Sequence, residues 1–475
     1  MSDRHAVASG RKLSNQSPLI AEDIAHHLHP RTDWRANEAV GPLLITRADG
    51  CEIIDNEGKR YIEGMSGLWC AALGFNHPRL AEAAYEQMKT LAYYHSFAHR
   101  TTDKTVLLAT KIAALAPEGF NRVFFSTSGS EAVETMVKIA WAYHAAKGKP
   151  NKRKIISRMR SFHGSTIVAA SMSGIDAVRQ QFGLPLPGFL HVSCPDFYHA
   201  GLSGESEQEF VSRLANELEA LIQKEGADTV AAFIAEPIQS GNAVVVPPEG
   251  YFTAIKEVLD RHDVLLLDDE IVCAFGRTGS MFGCQTLGMD PDMISTAKAL
   301  SSSYFPISAT LVSERVYQVV ADYKHKSGFG HGFTNSGHPV GAAIALEALA
   351  IYQEMDVVSV TRSKGTWLRA ALDQRIGDLP YVGDIRGRGL ILGIELVADK
   401  ATKRLFSSEF NAAKRVVDAA VARGLMLRSV GDTIAICPPF IIDQSQLSAL
   451  VDRLESSFAD VTDDLAAEAA ACAAI

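Results

Sequence analysis

In the stretch Ser295-Thr-Ala-Lys298-Ala-Leu-Ser-Ser-Ser-Tyr-Phe-Pro-Ile-Ser308 a single lysine stands among small and apolar residues with no acidic neighbour. Such a lysine is either a solvated surface charge, the commoner fate of its type, or an amine whose pKa is lowered by burial so that it attacks carbonyl carbon. Asp269 comes just after the four apolar residues Val264-Leu-Leu-Leu267, in the run Asp268-Asp269-Glu270. A buried carboxylate there must be paired or become protonated; its partner is either an arginine such as Arg277 or a cationic ring nitrogen on a bound group. The turn Ser126-Thr-Ser128-Gly129-Ser130-Glu131 also has two readings. Ser128 and Glu131 have the spacing of a capping box, and the same N–H groups, hydroxyls and helix dipole suit a phosphate.

These residues have elements to position them. Short apolar or β-branched runs alternate with helical periodicity, which predicts βαβ units around a mainly parallel sheet. Arg122–Ser126 reads as a strand followed by a helix over 131–146, with Ala132, Met136, Ile139, Ala140 and Tyr143 on one face. Val230–Ala235 reads as a buried strand ending at Glu236, with a helix marked by Tyr251, Ile255, Val258 and Leu259; Val264–Leu267 is a third strand. Met293–Ala297 reads as a strand end or tight loop. Ligands of open α/β sheets gather beyond the carboxyl ends of strands, where Glu236 and Asp269 fall. A phosphate turn, a buried aspartate and an embedded lysine, each after a strand, are together what pyridoxal phosphate needs: an anchor, a counter-charge for its ring nitrogen and an imine partner.

Composition excludes several other classes. The chain has 475 residues, 47% hydrophobic and 21% charged, a globular balance with no apolar run that reaches the length of a membrane span. Its formal charge is −9 with no Lys/Arg-rich block, so neither nucleic acid nor membrane is expected as a partner. The seven cysteines are scattered and never in CxxC spacing, which predicts reduced thiols, no zinc site and a cytoplasmic protein. The histidines of His26-His-Leu-His-Pro30 imitate metal spacing but read better as part of a solvated arm; the first 30 or so residues and the alanine-biased end, 463–475, are both expected to be peripheral arms, the second a frayed helix. Gly387-Arg-Gly389-Leu-Ile-Leu-Gly393 places its last glycine one position too late for a dinucleotide fingerprint and reads as close strand approach. No GxSxG elbow or GxxxxGK[ST] loop is present.

The ordered set STSGSEAVE (126–134), Phe162-His163-Gly164, Ala235-Glu236-Pro237, LLLDDEIVCAFGRTG (265–279), STAKALSS (295–302) and HGFTNSGHP (331–339) closely resembles the class III, or ω-amino acid, aminotransferases of pyridoxal-phosphate fold type I, from about residue 35 to 455. The resemblance implies an α/β protein with a large domain carrying a mostly parallel seven-stranded sheet and a smaller α+β domain from both chain ends. Expected boundaries are an N-terminal arm and part of the small domain at 1–70, the cofactor domain at 71–340 and the C-terminal small domain at 341–475. It implies Lys298 as the Schiff-base lysine and Asp269 as the partner of the pyridine nitrogen, with Ser128, Gly129, Ser130, Phe162, His163, Glu236 and Val272 around the cofactor. Thr334 is expected to reach the phosphate of the other subunit, which makes the active unit a homodimer. Trp69, in Gly67-Leu-Trp69-Cys70, resembles a pocket wall of the pyruvate-using branch, with a core aromatic as the alternative. Phe97 is expected to wall the same pocket. Arg428 resembles the mobile arginine that clasps a carboxylate, with an exposed arginine as the alternative.

Two departures from the family pattern stand out. Phe162 keeps a stacking face where tyrosine is common, and Val272 replaces a glutamine found in many relatives. The implied reaction is transfer of an amino group from an ω-amino acid, diamine or primary amine to an α-keto acid, pyruvate being expected, with ping-pong kinetics. An aminomutase or decarboxylating transaminase would use the same residues, and a phosphate-binding α/β protein without this cofactor is the alternative from another class.

Overall fold

The computed structural model describes residues 17–241, 243–323 and 328–473. Seven strands form the central sheet: β1 Arg122–Ser126, β2 Lys154–Arg158, β3 Phe189–Val192, β4 Val230–Ala235, β5 Leu265–Asp269, β6 Met293–Thr296 and β7 Ser308–Val312. Their order is β1-β7-β6-β5-β4-β2-β3. Only β7 runs against its neighbours, and every other pairing is parallel.

A parallel sheet is covered on both faces, so its strands read as unbroken apolar runs. All six residues of β4 and all five of β5 are buried. The period of two then sorts β5: Leu265 and Leu267 pack beneath the helix Gly129–Ala146 with Val133, Met136 and Tyr143, while Leu266 faces the core shared with Phe252, Ile255 and Leu259 of the helix Tyr251–Arg261. Asp269 continues the first face; Asp268 continues the second.

Both chain ends build smaller sheets. Ile45–Asp49, Glu52–Asp55 and Arg60–Glu63 form an antiparallel set, to which Leu425–Met426 adds in parallel, with Ile62 opposite Leu425 and Glu63 opposite Met426. Val382–Arg388, Ile391–Leu396, Thr433–Ile436 and Arg428–Val430 form an antiparallel sheet. The glycines at 387–393 thus make a hairpin, as the spacing argument expected: a Cβ on Gly387 would lie 2.1 Å from the Ile391 carbonyl oxygen.

Three local expectations are corrected. Met293–Thr296 is a full central strand, because the sheet buries all four residues. The polar N-terminal region contains helices at Pro18–His26 and Trp34–Val40; residues 1–16 of the expected arm lie outside the described residues. The alanine-biased end is a helix, as expected, but a packed one and not a frayed arm: it forms the last turns of the helix Gln444–Ala473, in which Val461, Leu465 and Ala469 recur every four residues and are buried. Alanine has the best helix propensity, and a stripe at that spacing gives it a face to bury.

Candidate active site

The carboxyl ends of β4, β5 and β6 and the start of the helix Gly129–Ala146 enclose a cavity of about 310 Å³. Lys298, Asp269, Glu236, His163, Phe162, Gly129, Ser130, Val272, Trp69 and Arg428 all line it. A larger groove of about 650 Å³ elsewhere, between Phe124, Tyr317 and Phe329, has no lysine, histidine or carboxylate among the described residues of its lining.

Lys298 begins the 3-10 turn Lys298–Leu300 directly after β6 and has φ 43°, a left-handed conformation uncommon outside glycine. Burial pushes its amine pKa down from the ordinary lysine value, against the smaller opposing pull of Cys70, Asp269 and Glu236. A fraction of neutral amine is what a nucleophilic or proton-accepting lysine requires.

Asp269 is 3% exposed, and its Oδ2 lies 2.7 Å from Nδ1 of the buried His163. An ionised carboxylate only accepts, so Nδ1 carries the hydrogen of this bond. Oδ1 accepts from the Ile271 N–H at 3.3 Å. The alternative partner Arg277 is engaged elsewhere: it donates to the carbonyls of Leu390 at 3.2 Å and Pro438 at 2.7 Å and lies 4.2 Å from the Phe440 ring centroid. Among the described residues Arg277 is thus no partner of Asp269, which lines the cavity beside His163. Behind it, Asp268 and Glu270 are fully buried, and the Asp268 carboxyl is pushed well above its usual range by burial and by the neighbouring Glu270.

Glu236 accepts the Phe162 N–H at 3.0 Å on one oxygen and the Ser240 N–H at 3.1 Å on the other, and burial raises its pKa. It orders the segment that carries the Phe162 ring. Gly241 packs beneath that ring, where a Cβ would stand 2.7 Å from the Phe162 Cβ.

The phosphate turn differs from a full capping box. Ser128 caps the helix by accepting the Glu131 N–H at 3.3 Å, but the Glu131 carboxylate reaches past it to the N–H and hydroxyl of Thr127, both at 2.7 Å. Among the described residues the N–H groups of Gly129 and Ser130 have no acceptor, at the positive end of an 18-residue helix. Gly164, with φ 139°, approaches so closely that a Cβ would sit 2.3 Å from the Ser130 hydroxyl oxygen. Ser128 itself is exposed at the rim.

The remaining expected residues divide. Trp69 is 5% exposed and both lines the cavity and packs with Met65, Ile238 and Val244, so the two readings of it coincide. Arg428 is half-buried rather than an exposed arginine. Phe97 does not wall this chain's cavity: it is 45% exposed and leans on Gly332. Thr334 is likewise exposed, with its carbonyl bonded by the Tyr93 hydroxyl at 2.8 Å. Sequence reasoning missed Arg31, Leu68, Ile271 and Gly241, all in the lining. Arg31 directly follows the histidine motif His26–Pro30, which reads from sequence as a solvated arm.

The donor set fits pyridoxal phosphate: unpartnered N–H groups for an anion, an anchored carboxylate for a ring nitrogen, an aromatic face at Phe162 and a desolvated amine at Lys298. Fold and site together define a pyridoxal-phosphate-dependent enzyme of fold type I. The model of the family "Aminotransferase class-III" matches residues 35–458. The omega transaminase from Pseudomonas jessenii, solved in complex with PMP, superposes with a TM-score of 0.92 at 44% identity over 94% of this chain and 99% of that one. A probable gamma-aminobutyrate transaminase 3, mitochondrial, of Oryza sativa subsp. indica is 42% identical over 94% of this chain and 89% of its own length. Gamma aminobutyrate transaminase 2 of Solanum lycopersicum is 44% identical over 87% of this chain and 90% of its own length. The chain belongs to the class III aminotransferase family and is a pyridoxal-phosphate-dependent aminotransferase, which sets aside a phosphate-binding protein without that cofactor.

Proposed function

We propose that the enzyme transfers the amino group of an ω-amino acid, diamine or primary amine to pyruvate by a ping-pong cycle, as a homodimer in the cytoplasm. The observation that carries this reading is Arg428, half-buried beside the apolar wall of Trp69 and Val272 in the cavity that holds Lys298. An apolar wall accepts the carbon chain of an amine, and a guanidinium binds the carboxylate of a keto acid. The names of its relatives, omega transaminase and gamma-aminobutyrate transaminase, agree with a donor whose amine is remote from any carboxylate.

Pyridoxal phosphate, when bound, supplies an electron-poor ring that stabilises negative charge at the amine-bearing carbon. The chain's residues do the rest. The N–H groups of Gly129 and Ser130 would hold the cofactor's phosphate, and Phe162 and Val272 would offer apolar surface to its ring. Asp269, bonded to His163 Nδ1, would supply the counter-charge for a protonated ring nitrogen. Lys298 Nζ, its pKa lowered by burial, takes and returns the substrate proton.

Dimerisation is supported by the exposed apolar side chains Tyr85, Met88, Leu91, Tyr93, Tyr94 and Phe97, which run from the helix Pro78–Leu91 to the loop bearing Thr334. Phe97 and Thr334 lie outside their own cavity, and we assign them to a second copy's. The seven free cysteines suit a reducing compartment.

The reading is tested by supplying a panel of amines with pyruvate and following alanine. Alanine should form with ω-amines and stop when pyruvate is withheld; turnover without any keto acid would replace the reading with an aminomutase.

A further inference from the structure

Arg31 lies in the turn between the helices Pro18–His26 and Trp34–Val40 and holds φ 51°, a conformation that costs a non-glycine residue energy. The turn is braced from both sides. His29 Nε2 is 2.7 Å from one oxygen of Asp23 and His27 Nδ1 is 3.0 Å from the other. Trp34 Nε1 donates to the His29 carbonyl at 2.9 Å, and Asp33 caps the next helix by accepting the Ala36 N–H at 3.1 Å. The histidine motif thereby fixes the stem of the turn whose tip is Arg31.

That tip enters the active site. The guanidinium carbon of Arg31 is 5.6 Å from the Phe162 ring centroid, and Arg31 lines the same cavity as Arg428 and Lys298. Burial, and after it the charge of Arg31, lowers the Arg428 pKa, so the two guanidinium groups repel one another. Among the described residues neither has an ion-pair partner. The two carboxylates of the cavity are already engaged: Glu236 with the N–H groups of Phe162 and Ser240, Asp269 with His163. The cofactor phosphate has its own place at Gly129 and Ser130. Two like charges left facing each other without a counter-ion favour an anionic ligand between them, and the apolar surfaces of Leu68, Trp69 and Val272 nearby suit a methylene chain.

We propose that Arg31 is a specificity-determining residue which, with Arg428, binds the acid group at the far end of the amine donor. The preferred donor is then an ω-amino acid, its acid a carboxylate or a sulfonate, over an uncharged amine of the same length. This rests on the transaminase reading above and names its donor class.

The test compares 4-aminobutyrate with n-butylamine as donors to pyruvate in the wild-type holoenzyme, Arg31→Gln and Arg31→Lys. In parallel, calorimetry measures binding of valerate, which has the acid and no amine. Arg31→Gln should lower the ratio of kcat/KM for 4-aminobutyrate over n-butylamine about tenfold or more, as expected for loss of a charge-assisted hydrogen bond. It should weaken valerate by a similar factor, and Arg31→Lys should recover part of both. An unchanged donor ratio together with unchanged valerate affinity overturns the proposal. Failure of the wild type to transfer an amino group from any donor would defeat the transaminase reading instead, and valerate affinity would still report on Arg31.

Discussion

The burial of Lys298 and its proposed part in proton transfer can be measured separately. Lys298→Ala should lower turnover by at least about 10³-fold, because proton transfer by a positioned base contributes on that order; single-turnover absorbance changes of the cofactor would show it. Lys298→Met should make the cofactor-free protein more stable at neutral pH, since it removes a buried ammonium. The folded-state pKa lies below the unfolded value of 10.5, so between the two the unfolded chain holds more protons and wild-type stability rises with pH. The melting-temperature advantage of Lys298→Met should therefore shrink as pH rises through that window. Residue types and spacing were enough to single out Lys298, Asp269 and the turn at 128–130. They could not show that Asp269 pairs with His163 and not Arg277, a choice made by residues more than 100 positions apart.

Elements set the precision of the site. Gly164 brings the segment after β2 onto the helix start at Ser130, and Gly164→Ala would place a Cβ 2.3 Å from that hydroxyl and 2.8 Å from Ala169 Cβ. The overlap, with an unfavourable φ, should cost about 2 kcal/mol and weaken cofactor binding, readable by thermal melting and by titration of the apoprotein. Glu63, at the end of the strand Arg60–Glu63, accepts the N–H groups of Met65 and Gly67 and so shapes the turn that presents Trp69. Burial pushes its pKa up from 4.5 to about 7, so between those values the folded state holds a proton that the unfolded chain has lost. Wild-type stability should fall as pH rises from about 4.5 to about 7, and Glu63→Gln should flatten that part of the melting-temperature profile. The strands at 122–126, 230–235 and 264–267 were legible because burial on both faces leaves continuous apolar runs, whereas Met293–Thr296 read as a strand end or tight loop. The alanine-biased end was legible only as a frayed helix, because its packing depends on neighbours that the local sequence does not name.

At the scale of the molecule, Phe97, expected to wall the pocket, and Thr334, expected to reach the other subunit's phosphate, are both exposed and outside this chain's cavity, next to the exposed row from Tyr85 to Tyr94. If two copies complete each other's sites, co-expressed Lys298→Ala and Thr334→Ala chains should form mixed dimers with one intact site. Such mixtures should bind cofactor more tightly than Thr334→Ala alone and turn over faster than Lys298→Ala alone. Equal behaviour of mixtures and the weighted average of the parents would place Thr334 outside any shared site.

The sequence by itself singled out the candidates, an amine, a carboxylate and a helix start, by local composition and position after a strand, and their roles came from the resemblance to class III aminotransferases. Tertiary structure decided the charge balance around them. Arg31 and Arg428 are nearly 400 residues apart and carry no common local signal, yet the fold sets both guanidiniums in one cavity whose carboxylates are already bonded. Electrostatic energy depends on distance through space and on burial, neither of which a linear pattern contains.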